Sequence, residues 1–270
     1  MAIARCLTIA GSDSGGGAGI QADLKTFAAL GVYGMSAIAA LTAQNTLGVQ
    51  DVLDVDPAFV SRQIHSVVSD MGVDAVKTGM LPNSEIIACV SRDLRELGVR
   101  NLVVDPVMRA TGGEPLMRGS AVDALVGELF PLALLVSPNL REAGLLAGFE
   151  VCDLEGMREA ARAISALGPR FVVVKGGHLP GKPLDLLFDG RNFKEYHGVR
   201  HEGPDAHGTG CAFASAIAAG VAKGLSVEEA VGLAKEFVAG AIRHGFRLGA
   251  GRGLLHHFHA LYTGAGFGFE

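Results

Sequence analysis

Polar residues follow six apolar runs of the sequence, at spacings that could form one reactive site. The runs have the composition of buried strands, and ligands of open α/β sheets bind beyond the carboxyl ends of strands. Any one group could be an ordinary polar turn, but together they favour one site edge. The groups are Gly11-Ser12-Asp13, Thr42-Ala43-Gln44-Asn45, Lys77-Thr78-Gly79-Met80, Asp105-Pro106-Val107-Met108, Ser137-Pro138-Asn139 and Lys175-Gly176-Gly177-His178.

The strongest local signal is the segment Asp205-Ala206-His207-Gly208-Thr209-Gly210-Cys211, which enters a helix of small apolar residues. A glycine-rich turn at a helix N-terminus leaves backbone N–H groups without partners, so it suits an anion. The same position predicts a lowered pKa for the Cys211 thiol. An alternative is purely structural, with Thr209 as the helix cap and Cys211 in a close packing contact.

Two acidic positions have two interpretations each. Asn139 and Glu142 have the spacing of a capping box, which the residues alone favour, but Glu142 could also hold Mg²⁺ beside a phosphate. Asp23 follows the first glycine loop and either faces the ligand of that loop or is an exposed helix charge.

Other motifs are excluded. The sequence contains no strict GxGxxG, and Pro183 stands after Gly181-Lys182 where a P-loop needs Ser or Thr. His256, His257 and His259 are interpreted as a surface feature near the C-terminus, because no second cluster of metal ligands accompanies them.

Alternation of strands and helices predicts a parallel α/β sheet covered on both faces. The predicted strands are Arg5–Ala10, Met35–Thr42, Val73–Thr78, Leu102–Val104, Ala133–Val136, Phe171–Lys175, Leu184–Phe188 and Asn192–Tyr196. The first predicted helix begins after the glycine loop Gly11–Gly19 and ends at Leu30. The other predicted helices are Pro57–Asp70, Asn83–Leu97 with Asn83 as N-cap, Ser120–Phe130, Asn139–Ala147, Asp153–Leu167, Thr209–Ala222 and Val227–Arg243.

The amino-acid composition limits the classes of protein to which the chain can belong. The chain has 270 residues, 49% of them hydrophobic, and a net charge of −5 without a basic block, which argues against disorder and against nucleic-acid binding. No apolar run reaches the roughly 18 residues of a membrane helix. Four widely spaced cysteines favour a cytoplasmic location over a disulfide scaffold. We expect one domain over residues 1–262 and a loose tail over residues 263–270.

From Leu7 to about His259, the sequence resembles the hydroxymethylpyrimidine/phosphomethylpyrimidine kinases of thiamine biosynthesis, in the ribokinase-like superfamily. The motifs occur in order along nearly the whole chain, which is more specific than any single string. They are Thr8-Ile9-Ala10-Gly11-Ser12-Asp13, Gly16-Gly17-Ala18-Gly19-Ile20-Gln21-Ala22-Asp23-Leu24-Lys25, Leu41-Thr42-Ala43-Gln44-Asn45-Thr46, Lys77-Thr78-Gly79-Met80-Leu81, Val104-Asp105-Pro106-Val107-Met108, Val174-Lys175-Gly176-Gly177-His178 and His207-Gly208-Thr209-Gly210-Cys211.

The resemblance implies a three-layer α/β/α sandwich with a mostly parallel central sheet, in a homodimer. It implies ATP- and Mg²⁺-dependent phosphorylation of 4-amino-5-hydroxymethyl-2-methylpyrimidine, and then of its monophosphate to the diphosphate. The expected partners are these small molecules and ATP, with no nucleic acid and no membrane.

The resemblance also assigns roles to residues. Its pyrimidine-binding residues are Gly11, Asp23, Gln44, Met80 and Val107. Its anion hole is Gly208-Thr209-Gly210, and Cys211 stands where most sugar kinases of the superfamily carry an aspartate base. Asn139 and Lys175 match positions near the nucleotide phosphates, and Glu142 and Asp105 match positions near Mg²⁺.

The sequence departs from the family in three places, one of which is Asp205-Ala206, where the family usually has Asn-Thr before the anion hole. After Asp-Pro-Val-Met, the usual Val-Ala-Lys-Ser-Gly-Asp is replaced, so a lysine is lost and Arg109 appears two residues earlier, next to a loop at Thr111–Glu114. The usual Thr after the cysteine is Ala212, which removes a hydroxyl from the phosphate site.

Two other functions fit the same motifs. A pyridoxal or pyridoxine kinase of the superfamily would also phosphorylate a hydroxymethyl group on an aza-ring, although Gln44 and Met80 favour the pyrimidine. A regulatory protein that binds the pyrimidine without catalysis is the second alternative. The presence of Cys211, Glu142 and Lys175 argues against it.

Overall fold

The computed structural model describes residues 3–109, 116–117, 120–177, 179, 181, 183–200 and 206–266. In these residues the main sheet has nine strands. They are β1 (Arg5–Asp13), β2 (Tyr33–Asn45), β3 (Gly48–Asp54), β4 (Ala75–Thr78), β5 (Leu102–Val104), β6 (Leu135–Val136), β7 (Phe171–Gly176), β8 (Leu184–Phe188) and β9 (Phe193–His197).

The strand order is β3-β2-β1-β4-β5-β6-β7-β8-β9. The strands from β2 to β7 in this order run parallel to their neighbours. Antiparallel strands lie at both edges, β3 beside β2 and the pair β8 and β9 beyond β7. The expected mostly parallel sheet is therefore confirmed.

Helices cover both faces of the sheet. They are α1 (Gly19–Ala29), α2 (Pro57–Met71), α3 (Ser84–Glu96), α4 (Ala121–Ala124), α5 (Leu140–Ala147), α6 (Leu154–Ser165), α7 (Thr209–Ala222), α8 (Val227–Arg243) and α9 (His259–Gly264). The buried strands contribute to two separate cores, because successive side chains point to opposite faces. Val172 and Val174 of β7 pack with α2 to α6, whereas Val173 packs with α1, α7 and α8.

Several predicted boundaries agree with the structure, and three predictions are wrong. The strand β1 continues through a bulge after Ala10 to Asp13, so the glycine loop begins later than predicted. The strand β3 was not predicted, because Gly48, Asp51 and Asp54 interrupt its apolar pattern. The segment predicted as one helix over Ser120–Phe130 is instead a short α-helix, a π-helical turn and a 3-10 turn.

The C-terminal segment folds back onto the main body. A second, two-stranded sheet pairs β10 (Ala206–His207) with β11 (Gly253–Leu254). His256 and His257 are buried, so their interpretation as a surface feature is wrong. Part of the expected loose tail belongs to α9, while residues 267–270 lie outside the described residues.

No helix in the described ranges combines the length and apolarity that a membrane crossing requires.

Candidate active site

The carboxyl ends of the parallel strands open into one cavity of about 890 Å³. Thr78 of β4 pairs with Val104 of β5, which pairs with Val136 of β6, so these strands end in line. Each of the six polar segments that follow the predicted strands contributes at least one residue to the cavity wall. His178, in the last segment, lies outside the described residues. Of the predicted site residues, those that line it are Gly11, Gln44, Met80, Asp105, Val107, Asn139, Glu142, Lys175, Gly208, Thr209, Gly210 and Cys211.

The turn before α7 presents backbone amides to the cavity. The first helical hydrogen bond runs from the Ala212 amide to the Gly208 carbonyl, so the three preceding amides have no partner within the helix. Gly208 has a φ of +85°, and a Cβ there would collide with the Gly17 carbonyl. No side chain within the described part of the chain caps this helix, so Thr209 is not the cap that the structural alternative required. The turn has the geometry of an anion site.

The thiol of Cys211 does not have the lowered pKa that its position at the helix N-terminus predicted. Burial is the largest influence and raises the pKa to about 12. The Lys77 ammonium opposes this shift, whereas the carboxylates of Asp23 and Asp105 add to it. Removal of bulk water from the sulfur therefore outweighs the helix dipole, and the ligand-free chain holds a neutral thiol.

Lys175, Asp105 and Glu142 form a charged group on the cavity wall. Lys175 Nζ lies 2.9 Å from Asp105 Oδ1, and the lysine side chain is 15% exposed to the cavity. Burial alone would lower the pKa of Lys175, but the charges of Asp105 and Glu142 outweigh it and raise that pKa. The group has two carboxylates and one ammonium, so it has room for a further cation.

Asn139 and Glu142 form the predicted capping box at the start of α5. The Asn139 amide donates to Glu142 Oε2 at 2.8 Å, and the Glu142 amide donates to Asn139 Oδ1 at 3.0 Å. Burial raises the pKa of Glu142 to about 7, while Lys175 lowers it and Asp105 raises it. The two interpretations of this motif are compatible, because Glu142 also lines the cavity.

Another part of the cavity wall is apolar and carries the side-chain amide of Gln44. Met80 is buried and Val107 half-buried, and the Gly11 amide donates to the Met80 carbonyl at 3.2 Å. A Cβ on Gly11 would lie 3.1 Å from the Met80 sulfur, so glycine leaves the methionine in place. The side-chain amide of Gln44 lies beside these residues on the wall. A flat heteroaromatic ring suits this combination.

Asp23 is the predicted site residue that does not line the cavity. Its side chain is fully buried and lies 2.9 Å from Lys77 Nζ. It also accepts hydrogen bonds from Thr8 Oγ1 at 2.6 Å and Ser215 Oγ at 2.7 Å. With its acceptors occupied in this way, the expectation of an exposed helix charge is wrong, and the direct ligand contact is not supported.

Sequence reasoning gave no role to Asp13 and His207, although both were in the quoted motifs. Asp13 Oδ2 lies 3.3 Å from His207 Nε2 and accepts hydrogen bonds from the amides of Gly17 and Ala18. His207 in turn lies 2.9 Å from the Gln44 amide. These contacts join the first glycine loop, β2 and the anion turn. The sequence does contain one signal for Asp13: its carboxylate is followed by the glycines at positions 15–17, and the backbone amides of such a run can donate hydrogen bonds to it.

Further cavity residues come from sequence-distant elements that gave no motif. Lys235 and Val238 lie on α8, and Arg252 precedes β11. Arg109 is exposed and lines the cavity. The adjoining Thr111–Glu114 loop lies outside the described residues.

Comparison with known proteins gives consistent matches along the chain. A family model described as phosphomethylpyrimidine kinase matches residues 13–256. A hydroxymethylpyrimidine/phosphomethylpyrimidine kinase of Rhizobium meliloti is 54% identical over 94% of this chain and 96% of that protein. A bifunctional thiamine biosynthesis protein of Geobacter sulfurreducens is 52% identical over 93% of this chain, which spans about half, 51%, of that protein.

The fold is also found among solved structures. A pyridoxal kinase of Bacillus subtilis in complex with ADP superimposes with a TM-score of 0.90 and 40% identity, over 96% of this chain and 99% of that chain. This likeness supports the expected ribokinase-like sandwich.

Proposed function

Because the chain belongs to the phosphomethylpyrimidine kinase family, we propose that it phosphorylates 4-amino-5-hydroxymethyl-2-methylpyrimidine and then the monophosphate, with ATP as donor. One observation carries the proposal beyond family membership. A single cavity is lined both by apolar and amide groups at Met80 and Gln44 and by the anion turn at Gly208–Gly210. An acceptor ring and a transferred phosphate can therefore lie in one continuous space.

The apolar end supports binding of the pyrimidine. Met80 offers a polarisable surface for the ring face, and Gln44 offers both a donor and an acceptor to the ring edge. With the ring held there, its hydroxymethyl group extends toward Cys211. Positioning of the acceptor oxygen next to the phosphate is the largest contribution that such residues make.

The anion turn and Lys175 support stabilisation of the transferred phosphate. Backbone amides at a helix N-terminus are fixed before the reaction, so they stabilise developing negative charge without reorganisation. Lys175 supplies a positive charge on the same wall. Phosphoryl transfer depends mainly on such positioning and charge stabilisation.

The donor set of Asp105 and Glu142 fits Mg²⁺. Both carboxylates are buried, both line the cavity, and oxygen ligands are those that Mg²⁺ prefers. When bound, the ion would neutralise charge on the nucleotide phosphates. Lys175, already paired with Asp105, keeps that carboxylate in place on the wall.

Cys211 acts on the acceptor oxygen. As a neutral thiol it can accept a weak hydrogen bond from the hydroxymethyl group, and as a thiolate it could take the proton. The second phosphorylation starts from an ionised phosphate and needs no such acceptor. Cys211 therefore serves the first step more than the second.

The assembly and location of the protein are part of the proposal. Strand β3 is a sheet edge, and Leu41, Leu47 and Leu53 expose apolar side chains on β2, β3 and their connection. We infer a homodimer through this edge, which light scattering coupled to size-exclusion chromatography would measure. All four cysteines are free, in keeping with a reducing cytoplasm.

A pyridoxal kinase is the second candidate, favoured by the superposition on the Bacillus subtilis enzyme. A substrate panel separates the candidates: hydroxymethylpyrimidine, its monophosphate and pyridoxal, each with ATP and Mg²⁺, with products identified by mass. Diphosphate from the first two, with pyridoxal slow, is the expected result. Pyridoxal phosphate as the main product would support the alternative. Binding of the pyrimidine without any product would indicate a regulatory protein.

A further inference from the structure

The side-chain amide of Gln44 has polar neighbours on both sides. As placed, the amide oxygen lies 3.0 Å from Thr42 Oγ1, and the amide nitrogen lies 2.9 Å from His207 Nε2. An amide has the same shape with its oxygen and nitrogen exchanged, so its neighbours decide which end is which. The backbone beneath it is fixed, because Ser14 Oγ donates to the Gln44 carbonyl and accepts from the Gln44 amide, both at 2.8 Å.

Thr42 has one hydroxyl proton and two possible acceptors. Its Oγ1 lies 3.0 Å from the Ser12 carbonyl oxygen, and a carbonyl can only accept. If the proton goes to Ser12, the lone pairs of Oγ1 face Gln44. Those lone pairs require the NH₂ end of the amide.

Asp13 makes a similar demand on His207. Its carboxylate is buried, and it accepts from the amides of Gly15, Gly17 and Ala18. Burial alone would raise the pKa of this carboxyl, but the hydrogen bonds from His207 and the backbone outweigh it and lower that pKa. An ionised carboxylate only accepts, so the nitrogen 3.3 Å away, His207 Nε2, must carry a proton.

The two orientations of the amide differ in how many contacts lack a proton. With the oxygen toward Thr42, the proton of Thr42 satisfies either Gln44 or Ser12, but not both. In the same orientation His207 Nε2 must accept from Gln44, so its lone pair faces the Asp13 carboxylate. With the oxygen toward His207, one proton is still shared, because Nε2–H serves both Gln44 and Asp13, but each contact of Thr42 has its own donor and no lone pair faces the carboxylate. This orientation leaves fewer acceptors without a proton, which decides between the two.

We propose that His207 donates from Nε2 to the Gln44 oxygen and to Asp13, and thereby positions the Gln44 amide for substrate selection. The donor end of the amide then lies on the Thr42 side, and the acceptor end lies on the His207 side. Each end has one hydrogen-bonding position left for a ligand. His207 is a positioning residue, since it acts through Gln44.

The consequence is a preference for a 4-amino over a 4-oxo ring. A 4-aminopyrimidine edge offers a donor, the amino group, next to an acceptor, the ring nitrogen. The 4-oxo ring offers the reverse, a carbonyl next to a ring N–H. A locked amide pairs with only one of these patterns, whereas a free amide can turn to match either. This inference rests on the proposed function, because it requires that Gln44 contacts the pyrimidine.

The first test uses the ligand-free wild-type protein. Long-range ¹H–¹⁵N correlation spectra distinguish protonated from unprotonated ring nitrogens, and the His207→Gln variant assigns the signals of His207. We expect a protonated Nε2, either in the neutral ring or in the imidazolium. An unprotonated Nε2 at neutral pH would overturn the proposed network.

The second test compares kcat/KM for hydroxymethylpyrimidine and its 4-oxo analogue. His207→Leu should reduce the preference for the amino ring by about 10-fold, mainly through KM, because one buried hydrogen bond is lost. His207→Gln keeps a donor at a similar reach and should retain most of the preference. His197→Leu, on an exposed side chain of β9, is the matched control.

An unchanged preference in His207→Leu, relative to His197→Leu, would overturn the role in selection. If His207→Leu does not fold, Thr42→Val tests the other end of the amide, with the same expected loss of preference. If the wild-type protein phosphorylates neither ring, the proposed function fails, while the spectra still decide the orientation of the network.

Discussion

Two buried lysine–aspartate pairs lie at the same edge of the sheet, and they differ in what surrounds them. Lys77 and Asp23 are both inaccessible to solvent, and Thr8 and Ser215 complete the hydrogen bonding of the aspartate. Lys175 and Asp105 have the same 2.9 Å separation, but both of them line the cavity, whereas of the first pair only Lys77 does. The same two residue types therefore serve as an internal support in one place and as a binding surface in the other.

The difference shows what makes a charged pair functional. The carboxylate of Asp23 has internal partners on both oxygens, so a ligand would have to displace one of them. Asp105 shares its lysine with Glu142, whose pKa of about 7 leaves it partly ionised, so the two carboxyl groups and one ammonium do not balance charge for charge. Both pairs are largely buried, so burial does not distinguish them. What distinguishes the pair at the active site is that its charges are not fully neutralised by each other.

The largest expected effect follows from removal of one charge from the internal pair. Asp23→Asn should lower the free energy of unfolding by about 3–5 kcal/mol, because it leaves the Lys77 ammonium buried without a counter-charge. Urea unfolding measures the change. The matched control is Lys194→Met, in an exposed pair with Glu228, where the loss should be far smaller than for Asp23→Asn.

A stable Asp23→Asn variant with a raised KM for the pyrimidine would contradict this comparison. That result would instead support a direct contact between Asp23 and the pyrimidine, as the family resemblance implies.

The cavity pair should show the opposite response. Lys175→Met should reduce kcat/KM by roughly 10²- to 10³-fold, since it removes a fixed positive charge from the phosphate end. Its loss of stability should be smaller than that of Asp23→Asn, because Asp105 lines the cavity, where water can replace the lost ammonium. Steady-state kinetics and urea unfolding of the same preparations check both statements. A stability loss equal to that of Asp23→Asn, with kinetics unchanged, would remove the distinction.

His257 extends the comparison to a buried ionisable group without a counter-charge. Burial is the largest cause that lowers its pKa, to about 4, and Lys25 adds to the effect. Among the described residues its Nε2 has no hydrogen-bond partner. The folded chain therefore resists protonation of this ring, whereas the unfolded chain takes up a proton near the ordinary pKa of 6.5.

This depressed pKa contributes stability above pH 6.5 that is lost as the pH falls toward 4. Between pH 7.5 and pH 4.5, His257 should account for about 2–3 kcal/mol of the acid-dependent loss. The His257→Leu variant should lose that much less than wild type across this range in urea unfolding. His197→Leu, an exposed histidine, should follow wild type. Parallel curves for all three proteins would exclude His257 as the cause.

Cys211 lies close enough to both lysine–aspartate pairs to interact with their charges. Of the variants described, its replacement has the smallest expected effect. Cys211→Ala should slow the first phosphorylation by about 10-fold or more, and the second by less, since only the first has a hydroxyl proton to transfer. Single-turnover measurements with each acceptor test this. Equal losses in both steps would show that Cys211 serves packing alone.

The parallel part of the fold could be predicted because apolar runs and capping residues are local signals. The strand at Leu102–Val104 and the caps at Asn83 and Asn139 agree with the structure. The edge strand β3 gave no such signal, because half of it faces solvent and charges interrupt it. The pairing of β10 with β11 joins segments far apart in sequence, which no local pattern encodes.

The site was predictable to the same extent. Residues after parallel strands meet at one edge by topology, so their convergence followed from the order of elements. The orientation of Asp23 did not follow, because the rotation of α1 about its axis is set by packing against the sheet. The pKa of Cys211 was predicted in the wrong direction, since a sequence shows the helix dipole but not the depth of burial.

The short sheet of β10 and β11 also sets an order in time. Ribosomes deliver the N-terminal part of a chain first, so β1 and the glycine loop can form early. The anion turn, by contrast, follows a strand whose only pairing partner in the described sheets is Gly253–Leu254. The anion turn can therefore reach its final form only after residue 254 has been added to the growing chain, well after β1 and the glycine loop.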